Sequence, residues 1–149
     1  MIVRVPIRRV AGPGAAFALP SYATDDAAGV DLVAAIGAPL VVQPLARVRV
    51  PTGIAIALPR GYEGQVRPRS GLAWRLGLTV LNAPGTIDAD YRGEVQVILV
   101  NVSERAVAIE PGDRIAQLVV APVTRVAWDQ RAELDETARG DGGFGHTGQ

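Results

Sequence analysis

Asp88 and Asp90 stand two residues apart in Gly85-Thr86-Ile87-Asp88-Ala89-Asp90-Tyr91-Arg92-Gly93-Glu94 and are well placed for proton chemistry. On an extended backbone both carboxylates would share one face, where either could orient a water for attack on a phosphate. Spacing alone does not choose between them, and Asp with Gly is also ordinary turn chemistry. Pro68-Arg69-Ser70-Gly71 offers the complementary function. A helix start with free N–H groups, the Ser70 hydroxyl, the Arg69 charge and a glycine that permits close approach together make an anion site. The same tetrad equally fits a capped helix with a solvated arginine. Asp31 and Gln117 are polar residues set inside the apolar runs 27–32 and 114–118. Asp31 is either satisfied by backbone N–H groups or turned toward a metal-bound phosphate. Gln117 needs a partner from a neighbouring strand or from a ligand.

The C-terminal stretch 139–149 is rich in glycine and loses much conformational entropy on ordering. A terminus of this composition is expected to be mobile in isolation. It nevertheless carries Arg139, Phe144, His146 and Thr147: a phosphate fork, a flat ring and two more phosphate partners. Such a set suits a flap closing over a ligand built from an aromatic base and phosphates. A frayed tail is the plain alternative.

These groups need a scaffold, and the sequence describes one made of short strands. Arg47-Val48-Arg49-Val50, Ile54-Ala55-Ile56-Ala57-Leu58, Val95 to Val100, Ala106 to Ile109 and Ile115 to Val120 are β-type runs divided by Gly and Pro. That pattern predicts an all-β, jelly-roll-like antiparallel barrel or sandwich. Residues 82–94 read as a hairpin between 78–81 and 95–97, with unused backbone donors and acceptors able to read a pyrimidine edge. One short helix is expected over 71–76, with Ser70 as N-cap and Gly77 just past its end. Residues 128–138 fit a loose helix or an extended arm, and the arm is preferred because it must carry the tail away from the core. The expected organisation is a single domain: a β core over about 1–121, an arm over 122–138 and a flap over 139–149.

Composition narrows the function classes. The chain has 149 residues and a formal net charge of zero, which argues against a nucleic-acid-binding domain held by bulk electrostatics. All 15 basic residues are arginine, so each must be judged by its neighbours. No cysteine is present, which removes disulfides and thiolate metal sites. No apolar run is long enough to span a membrane, and the first residues lack the layout of a secretion signal. A cytoplasmic location is the simplest expectation.

In their order and spacing, five segments resemble the motifs of the homotrimeric deoxyuridine triphosphatases (dUTPases): 28–32, 68–73, 85–94, 112–118 and 139–148. The resemblance implies a jelly-roll-like subunit, a homotrimer with active sites at its interfaces, and hydrolysis of dUTP to dUMP and pyrophosphate with Mg²⁺ held by the triphosphate. It implies that Asp88 activates the attacking water and that Tyr91 packs on deoxyribose and excludes a 2′-hydroxyl. Asn82, Gln96 and the backbone of Thr86, Ile87 and Asp88 would read uracil and sugar. Arg69, Ser70, Gly71 and Gln117 would hold phosphates, with Asp31 reaching metal-bound water. Phe144 would cover the base, while Arg139, His146 and Thr147 grip the terminal phosphates. Two further readings compete: a dCTP deaminase-like enzyme of the same fold, and a non-catalytic trimeric nucleotide-binding protein.

Overall fold

Gly and Pro interrupt the apolar runs so often that no strand grows long, and the chain answers with many short antiparallel pairings. A computed structural model of the chain describes residues 2–143. The strands are β1 (Ile7–Arg9), β2 (Val30–Val33), β3 (Leu40–Val42), β4 (Arg47–Pro51), β5 (Ile54–Ile56), β6 (Tyr62–Arg67), β7 (Leu78–Val80), β8 (Gly85–Ile87), β9 (Gln96–Asn101), β10 (Val107–Ile109) and β11 (Arg114–Pro122). They form a four-stranded sheet in the order β2-β11-β6-β8, a three-stranded sheet β4-β9-β7, and the pairs β1-β5 and β3-β10. This is the expected all-β, jelly-roll-like arrangement in its sandwich form. None of the sheets closes into a barrel among the described residues.

Alternation sets which side faces in. In β4 the arginines Arg47 and Arg49 stay exposed while Val50 is fully buried against β9. The core gathers one apolar cluster from all four sheets, including Leu32, Val42, Ile54, Val66, Leu99 and Ile109. It contains no aromatic residue, so it rests on Val, Leu and Ile burial, each worth about 1.5–3 kcal/mol. The corner before β5 depends on Gly53, whose φ of 71° is left-handed and whose Cα lies 2.8 Å from where a Cβ on Gly14 would stand.

Two local expectations are corrected. The helix α1 (Ser70–Leu76) begins one residue earlier than expected: Arg69, in extended conformation, is its N-cap, and Ser70 is its first helical residue. Pro68 cannot continue the ladder of β6, so the chain turns into the helix directly after it. Gly77 ends the helix in the left-handed conformation, as expected. Residues 82–94 are more than a hairpin tip. β7 and β9 do pair, but between them β8 crosses to the edge of β6, driven by the buried side chain of Ile87. Beyond β11 the chain is irregular and exposed through residue 138, an arm rather than a helix.

Asn101 is the polar exception inside the core. It is fully buried, donates from Nδ2 to the carbonyls of Val42 (2.9 Å) and Arg105 (2.7 Å), and accepts at Oδ1 from Ser103 N (2.9 Å) and Oγ (2.7 Å). It thereby joins β9 to β3 and to the turn before β10. Asn101→Ala leaves several buried groups unpaired and is expected to cost about 3 kcal/mol. Urea unfolding at fixed protein concentration checks this; a loss below about 1 kcal/mol would show the network to be dispensable.

Candidate active site

The outward face of the four-stranded sheet carries a row of polar side chains fixed by register. Asp31 on β2 faces Gln117 on β11, which faces Arg67 on β6. A bulge at Ile115 lets Ile115 and Ala116 both bury and so turns Arg114 outward onto the same face. Arg69 Nε lies 3.0 Å from Asp31 Oδ1 and Arg114 Nη1 lies 3.3 Å from Oδ2. Asp31 is therefore held by two guanidinium groups, where one reading of the sequence had offered backbone N–H groups. Neither guanidinium has a near sequence neighbour that could have announced the pairing. The Arg69 ion pair is not aligned for hydrogen bonding, and Oδ1, although buried, has no hydrogen-bond partner among the described residues. Arg69 is fixed from a second side as well, by donation from Nη1 to the Arg114 carbonyl at 3.2 Å.

Ser70 and Gly71 open α1 directly beside this cluster. A Cβ on Gly71 would stand 3.1 Å from both Nη atoms of Arg75, whose exposed side chain lies over it. Arg75 thus lies across the first turn of the helix, a placement the sequence reading did not foresee. The three arginines Arg67, Arg69 and Arg114 stand in one neighbourhood with one acid, Asp31, which leaves a local excess of positive charge suited to a polyanion.

The other catalytic candidates sit elsewhere. Thr86 is exposed on β8, an edge strand whose outer side presents unpaired backbone groups. Ile87 gives its side chain to the core, so only its backbone is available to a ligand. The Asn82 amide nitrogen packs over Gly85, 3.2 Å from where a Cβ would be. Asp88 and Asp90 do not lie on one extended strand: the Tyr91 N–H donates to the Asp88 carbonyl at 3.1 Å, closing a turn right after β8. Alternation therefore says nothing about which acid acts. Asp88 and Asp90 both line a cavity of about 660 Å³ that also holds Arg60, Arg92 and Arg125. The Tyr91 hydroxyl donates to the Glu94 carbonyl at 2.9 Å, and Gln96 is exposed with Nε2 3.5 Å from Glu94 Oε2.

Within one chain these two groups of residues are far apart. From the row of Asp31 to the level of Asp88 is three strand spacings across and four residues along, roughly 20 Å in all. In the tail, Arg139 donates from Nε to the Gly142 carbonyl at 2.8 Å. Phe144, His146 and Thr147 lie outside the described residues. Among the described residues no three His, Cys, Asp or Glu side chains converge as a metal cage, and no helix is long and apolar enough to cross a membrane.

The antiparallel β scaffold thus carries a cationic cluster, an open edge strand and a separate pair of acids. Comparison with known proteins specifies the family. The dUTPase family model matches residues 15–148. A deoxyuridine 5′-triphosphate nucleotidohydrolase from Wolbachia pipientis wMel is 53% identical over 149 residues, covering 99% of this chain and 97% of that protein. A protein of the same name from Desulfotalea psychrophila is 60% identical over 130 residues, 87% of each. In three dimensions the fold matches the Staphylococcus bacteriophage 80alpha dUTPase, solved with dUpNHpp, at a TM-score of 0.86 and 24% identity over 98% of this chain and 99% of that one. It also matches a mutant dUTPase from phage phi11 of S. aureus, described for its coordination of a structural Mg(II) ion, at a TM-score of 0.78 and 23% identity over 89% of this chain and 99% of that one. The chain belongs to the dUTPase family.

Proposed function

We propose that this protein is a dUTP diphosphatase that hydrolyses dUTP to dUMP and pyrophosphate. The observation carrying the reading is the built phosphate cluster of Asp31, Arg69, Arg114 and Gln117 together with an acid, Asp88, at the end of an open edge strand. The relatives' shared name favours this reading over a deaminase. Uracil pairs with the backbone edge of β8, where Thr86, Ile87 and Asp88 supply main-chain groups and Asn82 and Gln96 lie alongside. Arg69, Ser70, Gly71 and Gln117 grip the phosphates, and Asp31 keeps Arg69 aimed. Asp88 accepts a proton from the water that attacks the α-phosphorus. The flap, with Arg139, Phe144, His146 and Thr147, closes over base and phosphates and excludes bulk water.

The separation of roughly 20 Å inside one chain requires a second copy to supply Asp88 to the phosphate cluster of the first. A homotrimer with sites at its interfaces meets that need. Support comes from the arm, which exposes Val126, Trp128 at 91% and Leu134 at 87%, apolar side chains that gain by packing on a neighbour. We assign the β core to about 1–121, the arm to 122–138 and the flap to 139–149, and we place the enzyme in the cytoplasm.

Magnesium would be carried by the triphosphate, as the family resemblance implies. The unsatisfied Asp31 Oδ1 is the acceptor that a water on the ion would fill, so the residues fit the group. When bound, the ion neutralises phosphate charge and polarises the centre under attack.

Steady-state pyrophosphate release from dUTP, dCTP, dTTP and UTP tests the reading directly; ammonia release from dCTP, or no cleavage of dUTP with magnesium, would overturn it. Asp88→Asn is expected to lower kcat by 10²-fold or more while nucleotide affinity stays near wild type. Wild-type rates in that variant would move the role to Asp90. Co-expressed Asp88→Asn and Arg69→Ala chains, each inactive alone, should regain partial activity in mixed oligomers. Failure to recover it would place both groups of one site in the same copy. Truncation before Arg139 should leave the oligomer intact and sharply reduce turnover, whereas a fully active truncated protein would show that the flap has no role.

A further inference from the structure

We infer that Gly93 is a specificity-determining residue: by lacking a side chain it gives the Tyr91 ring its seat, and through that ring it sets discrimination between deoxyribo- and ribonucleotides. The inference rests on the reading of Tyr91 as the group facing the sugar.

A Cβ built on Gly93 would collide with Tyr91 Oη and lie 2.6 Å from Cζ and 3.0 Å from Cε2. The far end of the ring therefore occupies the space that any other residue at position 93 would fill. The backbone gives no other reason for glycine here. Six described glycines have left-handed φ values, and Gly93 is not one of them. Its conformation is open to other residues, so the missing side chain serves space alone.

The surrounding contacts fix where that seat lies. Arg92 Nη1 donates to the carbonyls of Ala89 (2.7 Å) and Tyr91 (2.8 Å), clamping the turn that follows Asp88. The Tyr91 hydroxyl donates to the Glu94 carbonyl at 2.9 Å. Glu94 Oε1 in turn accepts from Gly53 N at 2.8 Å, which ties the loop to the rigid corner before β5. The floor is anchored in the fold, while Tyr91, 45% exposed, has its hydroxyl on the Glu94 carbonyl and its ring against Gly93. When a methyl group is added to the floor, the ring moves and the floor stays. A tyrosine that swings away from its seat no longer closes the space beside the sugar where a 2′-hydroxyl would project. Discrimination by a fixed steric wall is sensitive to displacements of an ångström.

The test compares kcat/KM for dUTP and UTP in the full-length wild type, Gly93→Ala, Tyr91→Phe and Tyr91→Ala. Folding of each is checked by circular dichroism and melting temperature. Gly93→Ala is expected to fold normally and to shift the dUTP-to-UTP ratio toward UTP by about tenfold or more. Tyr91→Ala should shift it at least as far, and Tyr91→Phe, which loses only the bond to the Glu94 carbonyl, should shift it less. A folded Gly93→Ala protein with the wild-type ratio would overturn the inference, as would a wild-type ratio in Tyr91→Ala. A wild-type protein that leaves dUTP uncleaved would instead sink the proposed function, so the two failures are distinguishable.

Discussion

Strand register across the sheet β2-β11-β6-β8 is the constraint from which the rest of the site follows. It aligns Asp31, Gln117 and Arg67 on one face, and the bulge at Ile115 adds Arg114 to them. The same register carries β8 and Asp88 to the opposite edge and a different level. The Asp31 row and Asp88 therefore stand at opposite edges of the sheet, and the proposed sharing of a site between two copies is the arrangement that brings them together. A one-residue slip would be severe, because it would turn every one of these polar residues into the core.

The arginine cluster shows how a chain with no net charge can still concentrate positive charge locally, with Arg69 and Arg114 on the Asp31 carboxylate and Arg67 across Gln117 from it. Asp31 and its guanidinium partners are partly exposed, so their mutual attraction adds little to folding stability. The value of the contact lies in orientation. A guanidinium held at a carboxylate and at the Arg114 carbonyl is already oriented, which lowers the entropy that binding an anion there would cost.

Much of the fold was legible in the letters. Alternation in 47–50 and turn residues at 59–61 and 111–113 announced antiparallel strands, and Gly77 announced the end of the helix. What escaped was whatever depended on distant neighbours. The crossing of β8 to β6 is decided by burial of Ile87, and a three-residue strand has no period long enough to read. The pairing of Asp31 with Arg114 joins residues 83 apart in sequence, where no local signal exists. The site was named chiefly by the resemblance of its five motifs, since Asp88 and Asp90 differ by nothing that spacing reveals. The turn closed by Tyr91 N–H explains why: alternation does not apply once the strand has ended.

Loop 88–94 and the corner at Gly53 show how a short irregular segment can be made rigid without secondary structure. Its backbone carbonyls are occupied by Arg92, by the Tyr91 N–H and by the Tyr91 hydroxyl, and its far end is pinned to Gly53 by Glu94. These polar ties stand where a short loop has few apolar contacts to hold it. Gly93 belongs to this economy of space: the one position without a side chain is where the ring must lie. Rigidity in this loop is what the proposed roles of Asp88 and Tyr91 call for, because an acid and a sugar wall serve only if they are in place before the substrate arrives.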